Sequence, residues 1–226
     1  TFGYEKALMM NSGVEAGESA IKFVRRWGYR VKKVQADQAT VLFAKGNFWG
    51  RTIAACGSSD DPDRYKDFGP FGGLNFELID YGCLKSLEQK LQENPSIVAF
   101  MVEPIQGEMG VVIPPAGYLK KAHELLKKHR ALLIADEIQT GLGRTGKMLC
   151  ADHDGVRPDV VLLGKALSGG FMPISAVLCD AEIMDLIKPG EHGSTYGGNS
   201  LASAIAVASL DVLINEKMCE NSTKQG

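Results

Sequence analysis

A lysine placed directly behind a continuous apolar run is chemically unusual. Val160-Val161-Leu162-Leu163 leads straight into Gly164-Lys165-Ala166-Leu167-Ser168-Gly169-Gly170. The run reads as a buried strand, so Lys165 stands at the mouth of a sheet. There desolvation is expected to lower its pKa and free the amine as a nucleophile. A second apolar run, Leu132-Leu133-Ile134-Ala135, ends in acid at Asp136-Glu137-Ile138-Gln139. A strand-end amine and a strand-end carboxylate suggest a pyridoxal phosphate (PLP) site. Lys165 would carry the aldehyde as a Schiff base, and Asp136 would keep the pyridine nitrogen protonated.

Four further stretches could complete such a site. In Asn11-Ser12-Gly13-Val14-Glu15 a strand runs into a helix, and the free N–H groups at the helix start can hold a phosphate. The competing reading is a capping box from Ser12 to Glu15. Phe48-Trp49-Gly50-Arg51 offers an aromatic face for a flat ring and a planar fork for a carboxylate; an aromatic pair packed in the core is the plainer alternative. On extended chain Asp136 and Ile138 point the same way, so Ile138 can cover a ring face while Gln139 reaches the phenolic oxygen. Asp136 as an ordinary helix cap competes with this. Glu103 closes another apolar run, where a turn with solvated carboxylates competes evenly with a site role, and residues 191–199 place His192, Ser194 and Thr195 among glycines that can cradle a phosphate, against an ordinary polar loop. His192 itself reads as a structural hydrogen-bonder. No cluster has metal-ligand spacing.

Alternating apolar runs and amphipathic stretches must position these groups. Strands are expected at 6–10, 40–44, 76–80, 97–102, 131–135, 160–163 and 174–178. Helices are expected at 14–27, 50–55, 84–92, 118–128, 181–186 and 200–214. The order predicts an α/β fold with a mostly parallel sheet. Too few residues separate the last two strands for a helical crossover, so 174–178 is expected to run antiparallel. In open α/β sheets ligands bind at the carboxyl ends of the strands, where all these motifs fall.

Bulk properties narrow the alternatives. The chain has 226 residues, 45% hydrophobic and 23% charged, with a net charge of −2. That suits one large α/β domain and gives no basic block for nucleic acid or anionic membrane. Five scattered cysteines without a Cys-x-x-Cys favour a reduced compartment. There is no membrane-length apolar run and no visible targeting segment. A nucleotide-binding glycine motif is also missing after any strand.

Together, residues 10–16, 44–52, 68–71, 99–110, 134–145, 157–170 and 188–199 resemble the class III, PLP-dependent aminotransferases over almost the whole chain. Many members read Phe-His-Gly-Arg where this chain has Phe48-Trp49-Gly50-Arg51. That tryptophan, with Phe68-Gly69-Pro70-Phe71 and Lys188-Pro189-Gly190-Glu191-His192, resembles the ornithine-using members. The resemblance implies a type I PLP-enzyme large domain: a seven-stranded, mostly parallel sheet with one antiparallel strand and helices on both faces.

It also implies roles. Lys165 and Asp136 are catalytic. Ser12, Gly13 and Val14 hold the phosphate, Phe48 stacks on the ring with Trp49 beside it, and Glu103 lies near the ring. Ile138 packs beneath, and Gln139 meets the phenolic oxygen. Ser194 and Thr195 reach the phosphate of a neighbouring subunit in a homodimer or higher oligomer. Arg51 holds the substrate carboxylate and Glu108 gates the substrate.

The implied reaction moves the δ-amino group of L-ornithine to 2-oxoglutarate. Acetylornithine or 4-aminobutyrate transfer, or a non-catalytic truncated chain, are the alternatives. Residues 1–215 are expected to form the PLP-binding large domain, and 216–226 to begin the connection to a C-terminal small domain. The 226 residues alone are expected not to be fully competent. A mitochondrial matrix or cytoplasmic location is expected.

Overall fold

Uninterrupted apolar runs become the middle of the sheet. In the computed structural model, which describes Thr1–Gly226, seven strands form: β1 (Lys6–Met10), β2 (Thr40–Ala44), β3 (Phe76–Ile79), β4 (Ile97–Val102), β5 (Leu132–Asp136), β6 (Val160–Leu163) and β7 (Ser175–Cys179). They pair in the order β1-β7-β6-β5-β4-β2-β3. β7 runs antiparallel to both β1 and β6, and every other pairing is parallel. The short link after β6 leaves no room for a crossover helix, so the chain must turn back, as the sequence predicts.

Helices cover both faces because strand residues alternate sides. Val41, Phe43, Ile134 and Leu162 pack beneath α1 (Gly13–Trp27), against Ala16, Ala20, Phe23 and Val24. Leu42, Phe100 and Leu133 face the other way. They meet Leu87 and Leu91 of a helix at Leu84–Glu93, and Leu119 and Leu126 of a helix at Tyr118–Lys128. At the β6–β7 end, Val161, Leu163, Ala176 and Leu178 meet Ala202 and Ala206 of the helix Ser200–Asn215. That helix is apolar around most of its circumference, and Leu201, Val207, Val212 and Ile214 are exposed on it. No helix is long and apolar enough to cross a membrane.

Most differences from expectation lie at element ends, and two short helices, Pro62–Tyr65 and Met218–Gln225, were not expected. The acid of the 132–136 run is the last residue of β5, so Asp136 is held by the sheet and caps no helix. The helix expected at 50–55 starts later, as Ile53–Gly57, with Thr52 as its cap. Residues 46–52 are therefore an irregular loop at the end of β2. The polar end, expected to begin a connection, is helical over Met218–Gln225. This helix rests on the turn after β5, where Ser222 Oγ donates to the Arg144 carbonyl at 2.9 Å.

Glu137, next after Asp136, fastens the long excursion that follows β5. It is fully buried. Its carboxylate accepts the N–H groups of Ala151 at 2.8 Å and Cys150 at 3.0 Å, and the Thr140 hydroxyl. Glu137→Ala would leave three buried donors without an acceptor. The expected loss is about 3 kcal/mol of stability, read from the denaturant midpoint of the full-length protein. A change below about 0.5 kcal/mol, the ordinary surface range, would contradict this anchoring role.

Candidate active site

The carboxyl ends of β1, β2, β4, β5 and β6 empty into one cavity of about 260 Å³. Gly13, Val14, Phe48, Trp49, Gly50, Glu103, Asp136, Ile138, Gln139 and Lys165 line it. Lys165 is its only cationic side chain. The backbone at this lysine adopts φ 40°, a left-handed conformation costing a bulky residue on the order of 1 kcal/mol. A single 3₁₀ turn, Lys165–Ser168, holds it, with Leu167 N–H donating to Gly164 at 2.9 Å and Ser168 Oγ to the Lys165 carbonyl at 2.8 Å.

The expected desolvation of Lys165 is not found, because the residue is exposed. Only the strand behind it is buried, and the lysine lies past the strand where the sheet edge opens. Its Nζ donates instead to Gln139 Oε1 at 2.9 Å. Gln139 reaches that position across Gly107, where a Cβ would lie 2.5 Å from the Gln139 amide.

Opposite the amine stand two buried carboxyls. Asp136 is 5% exposed and accepts one hydrogen bond, from the Ile138 N–H at 3.1 Å. Burial pushes its pKa up to about 7. Glu103 accepts the Phe48 N–H at 2.9 Å. Burial first, and then the charge on Asp136, push Glu103 up to about 8. A buried acid with so few donors suits a cationic N–H partner.

The same cavity has an anion end. Helical geometry leaves the N–H groups of Gly13 and Val14 without intrahelical acceptors. The capping reading of Ser12 holds alongside: Ser12 Oγ accepts the Glu15 N–H at 3.4 Å, and Glu15 Oε2 accepts the Ser12 N–H at 2.6 Å. Ser12 lines an adjoining recess that also contains Lys165. Ile138 fills the gap beside the helix start, since a Cβ on Gly13 would lie 2.9 Å from its Cδ1. The half-buried Phe48 gives the cavity an aromatic wall. An anion end, two apolar walls, a buried acid and a lysine side chain fit the parts of PLP. No group of His, Cys, Asp and Glu is arranged to hold a metal ion.

The other candidates border the cavity or lie outside it. The Trp49 indole is buried, stacked on Phe43 with centroids 5.7 Å apart, and donates to Ser58 Oγ at 2.7 Å. The core-packing alternative therefore holds for that ring, although Trp49 borders the cavity. Arg51 is exposed outside the lining, its guanidinium 5.6 Å from the Phe48 ring centre. Glu108 is exposed on the loop after β4, and Thr195 is exposed on the 193–199 segment. Ser194 Oγ accepts from Asn11 Nδ2 at 3.0 Å, beside the start of α1. Sequence reasoning passed over Arg144. It lines a neighbouring recess of about 720 Å³ that shares Ile138, Gln139 and Lys165 with the cavity. Its one signal was the glycine frame of Gly141-Leu142-Gly143-Arg144-Thr145-Gly146.

Comparison with known proteins gives consistent matches. The family model described as Aminotransferase class-III matches residues 1–226. The mitochondrial ornithine aminotransferase of Rattus norvegicus is 60% identical over 225 residues, covering 100% of this chain and 51% of that protein. Its counterpart in Drosophila melanogaster is 57% identical, covering 100% of this chain and 52% of that protein. A solved ornithine aminotransferase from Toxoplasma gondii, described as having partial occupancy of PLP at its active site, superposes with a TM-score of 0.95 at 57% identity. That match covers 97% of this chain and 51% of the solved one. The chain thus spans about half the length of the curated relatives it matches.

The raised Asp136 pKa makes a signed prediction for the cofactor-free protein. An unfolded aspartate ionises near pH ~4, whereas the folded one holds its proton to about 7. Between those values the folded state binds more protons, so stability falls as pH rises. The penalty is absent below the lower value and complete above the upper one. Asp136→Asn cannot ionise. Relative to that variant, wild type is expected to lose thermal stability from about pH 4.5 to about pH 7.5. A Tm difference that stays constant over that range would contradict the assignment.

Proposed function

The chain belongs to the class-III aminotransferases, and from that membership we propose that this protein transfers the δ-amino group of L-ornithine to 2-oxoglutarate with PLP as cofactor. The products are glutamate 5-semialdehyde and glutamate. One observation carries the chemistry: Lys165, the buried Asp136 and the start of α1 converge on a single cavity. The choice of ornithine is supported by the names of the rat, fly and Toxoplasma relatives.

When bound, PLP supplies an aldehyde that takes up an amine and a cationic ring that draws electrons away from it. Gly13 and Val14 bind the phosphate through backbone N–H at the positive end of α1. Phe48 and Ile138 offer apolar walls to the ring. A cation beside Asp136 favours its ionised form, and the carboxylate in turn keeps the ring nitrogen protonated. Lys165 Nζ moves the proton at the amine-bearing carbon of the substrate, as base and then as acid. Gln139 holds that amine at 2.9 Å and would meet the phenolic oxygen. Glu103 lies near the ring, with its carboxyl beside Asp136. Arg51 grips the substrate carboxylate with its planar fork, and Glu108 gates entry.

We further read residues 1–215 as the PLP-binding large domain and 216–226 as the start of its connection to a small domain. A homodimer or larger assembly is proposed, in which Ser194 and Thr195 serve the neighbouring phosphate. Exposed Tyr196 and the apolar helix Ser200–Asn215 support an assembly surface close to those residues. A mitochondrial location agrees with the names of the rat and fly relatives.

The direct test supplies full-length protein with free ornithine, N-acetylornithine or 4-aminobutyrate, each with 2-oxoglutarate. Ornithine should give the highest kcat/KM, and preference for either competitor would overturn the substrate reading. Arg51→Ala should raise the KM for ornithine by about 10- to 100-fold, the loss of a charge-assisted hydrogen bond, with PLP affinity little changed. A variant with normal ornithine kinetics and weak PLP binding would reverse the role of Arg51.

A further inference from the structure

His192 has a polar partner on each ring nitrogen and lies at the entrance to the 193–199 segment. Its Nε2 lies 2.8 Å from Ser19 Oγ, and its Nδ1 lies 2.8 Å from Lys22 Nζ. The ring meets Phe23 edge-on, with centroids 5.6 Å apart. Ser19, Lys22 and Phe23 all belong to α1. The histidine therefore joins the segment to the helix whose first turn forms the anion end of the cavity.

The hydrogen bonds select one tautomer. The Ser19 hydroxyl, fully buried, donates its only proton to the Glu15 carbonyl at 2.7 Å. It can offer His192 only a lone pair, so Nε2 must carry the ring proton. Nδ1 is then bare and accepts from the Lys22 ammonium. A second ring proton would replace that bond with an N–H facing an ammonium, and like charges would repel.

The other charged groups near this contact do not reverse the effect. Arg26 bridges to Glu191 Oε1 at 3.2 Å, and Arg30 adds a further positive charge near that carboxylate. Glu191 is thus already engaged by cations, and Lys22 also donates to its backbone carbonyl at 3.3 Å. A second tie, from Asn11 Nδ2 to Ser194 Oγ, holds the segment near the start of α1.

We propose that His192 is a positioning residue: neutral, with its proton on Nε2, it clamps residues 193–199 to α1, and taking up a second proton releases them. The functional consequence rests on the proposed role of Ser194 and Thr195 at a neighbouring phosphate. Release of the segment would then speed the loss of PLP from that site. Burial first, and then the Lys22 charge, hold the His192 pKa below its ordinary value. The folded form therefore resists protonation, and the clamp is lost as pH falls below about 6.5.

Two variants separate titration from packing. In His192→Gln an amide N–H can donate to Ser19 and an amide oxygen can accept from Lys22, and neither titrates. His192→Phe keeps a ring against Phe23 but loses both hydrogen bonds. The test is hydrogen exchange of residues 193–199 in the PLP-loaded full-length protein, corrected for intrinsic rates at each pH. Near neutral pH, His192→Phe should exchange about tenfold faster than wild type, as expected for losing one to two net hydrogen bonds. In acid, wild type should approach the His192→Phe rate, whereas His192→Gln should stay protected. Equal protection of wild type and His192→Phe near neutral pH would overturn the clamp. So would acid loosening of His192→Gln that matches wild type. PLP release, followed by absorbance on the same samples, should quicken with segment exchange. Unchanged release from a loosened segment would overturn the phosphate role of Ser194 and Thr195 and leave the clamp itself standing.

Discussion

A carboxyl buried at the end of a central strand is the constraint on which the site depends. Asp136 closes β5, accepts one hydrogen bond, and has its ordinary pKa lifted to about 7. Such a group is unfavourable where it stands unless a cation meets it. The sheet makes the position unavoidable, because β5 is hydrogen-bonded on both sides and covered on both faces. Glu103, at the end of the neighbouring β4, has its carboxyl raised further by the same charge. The architecture therefore keeps two buried carboxyl groups close to where a protonated ring nitrogen is proposed to sit, and that cation would favour ionisation of Asp136.

The rest of the site follows from the direction of the strands. Parallel strands bring their carboxyl ends to one edge, and the turns that leave them carry the polar groups. β1 leads to the start of α1, β2 to the Phe48 loop, β4 to Glu103, and β6 to the strained turn at Lys165. α1 connects two regions of the molecule. Its first turn faces the cavity, and two turns later it holds His192 through Ser19 and Lys22. Residues 193–199 and the anion end thus share one rigid support.

Much of this was legible in the sequence because burial leaves a periodic trace. Strands buried on both faces read as nearly unbroken apolar runs, and β2, β4 and β6 lie where those runs predict. The residues that end such runs in charge, Glu103, Asp136 and Lys165, all reach the cavity. Groups on irregular loops left no such trace. Trp49 and Arg51 are two positions apart, yet one is buried and the other exposed, because residues 46–52 have no regular period that would assign sides. Lys165 was expected to be desolvated by the strand before it, but exposure is decided by how the next turn opens. Arg144 and Glu137 were overlooked because their roles depend on a long excursion folding back onto β5. Nor does a polar helix such as Met218–Gln225 announce itself, since its contacts with the 141–147 turn are made by small residues.

The central claim is that one lysine, at the end of β6, carries the reactive amine of this cavity. Borohydride reduction of the PLP-loaded full-length protein, followed by peptide mass mapping, tests it directly. The account predicts a pyridoxyl label on Lys165, with no label in Lys165→Ala. Label on any other lysine of the wild-type protein, or undiminished label in Lys165→Ala, would contradict it.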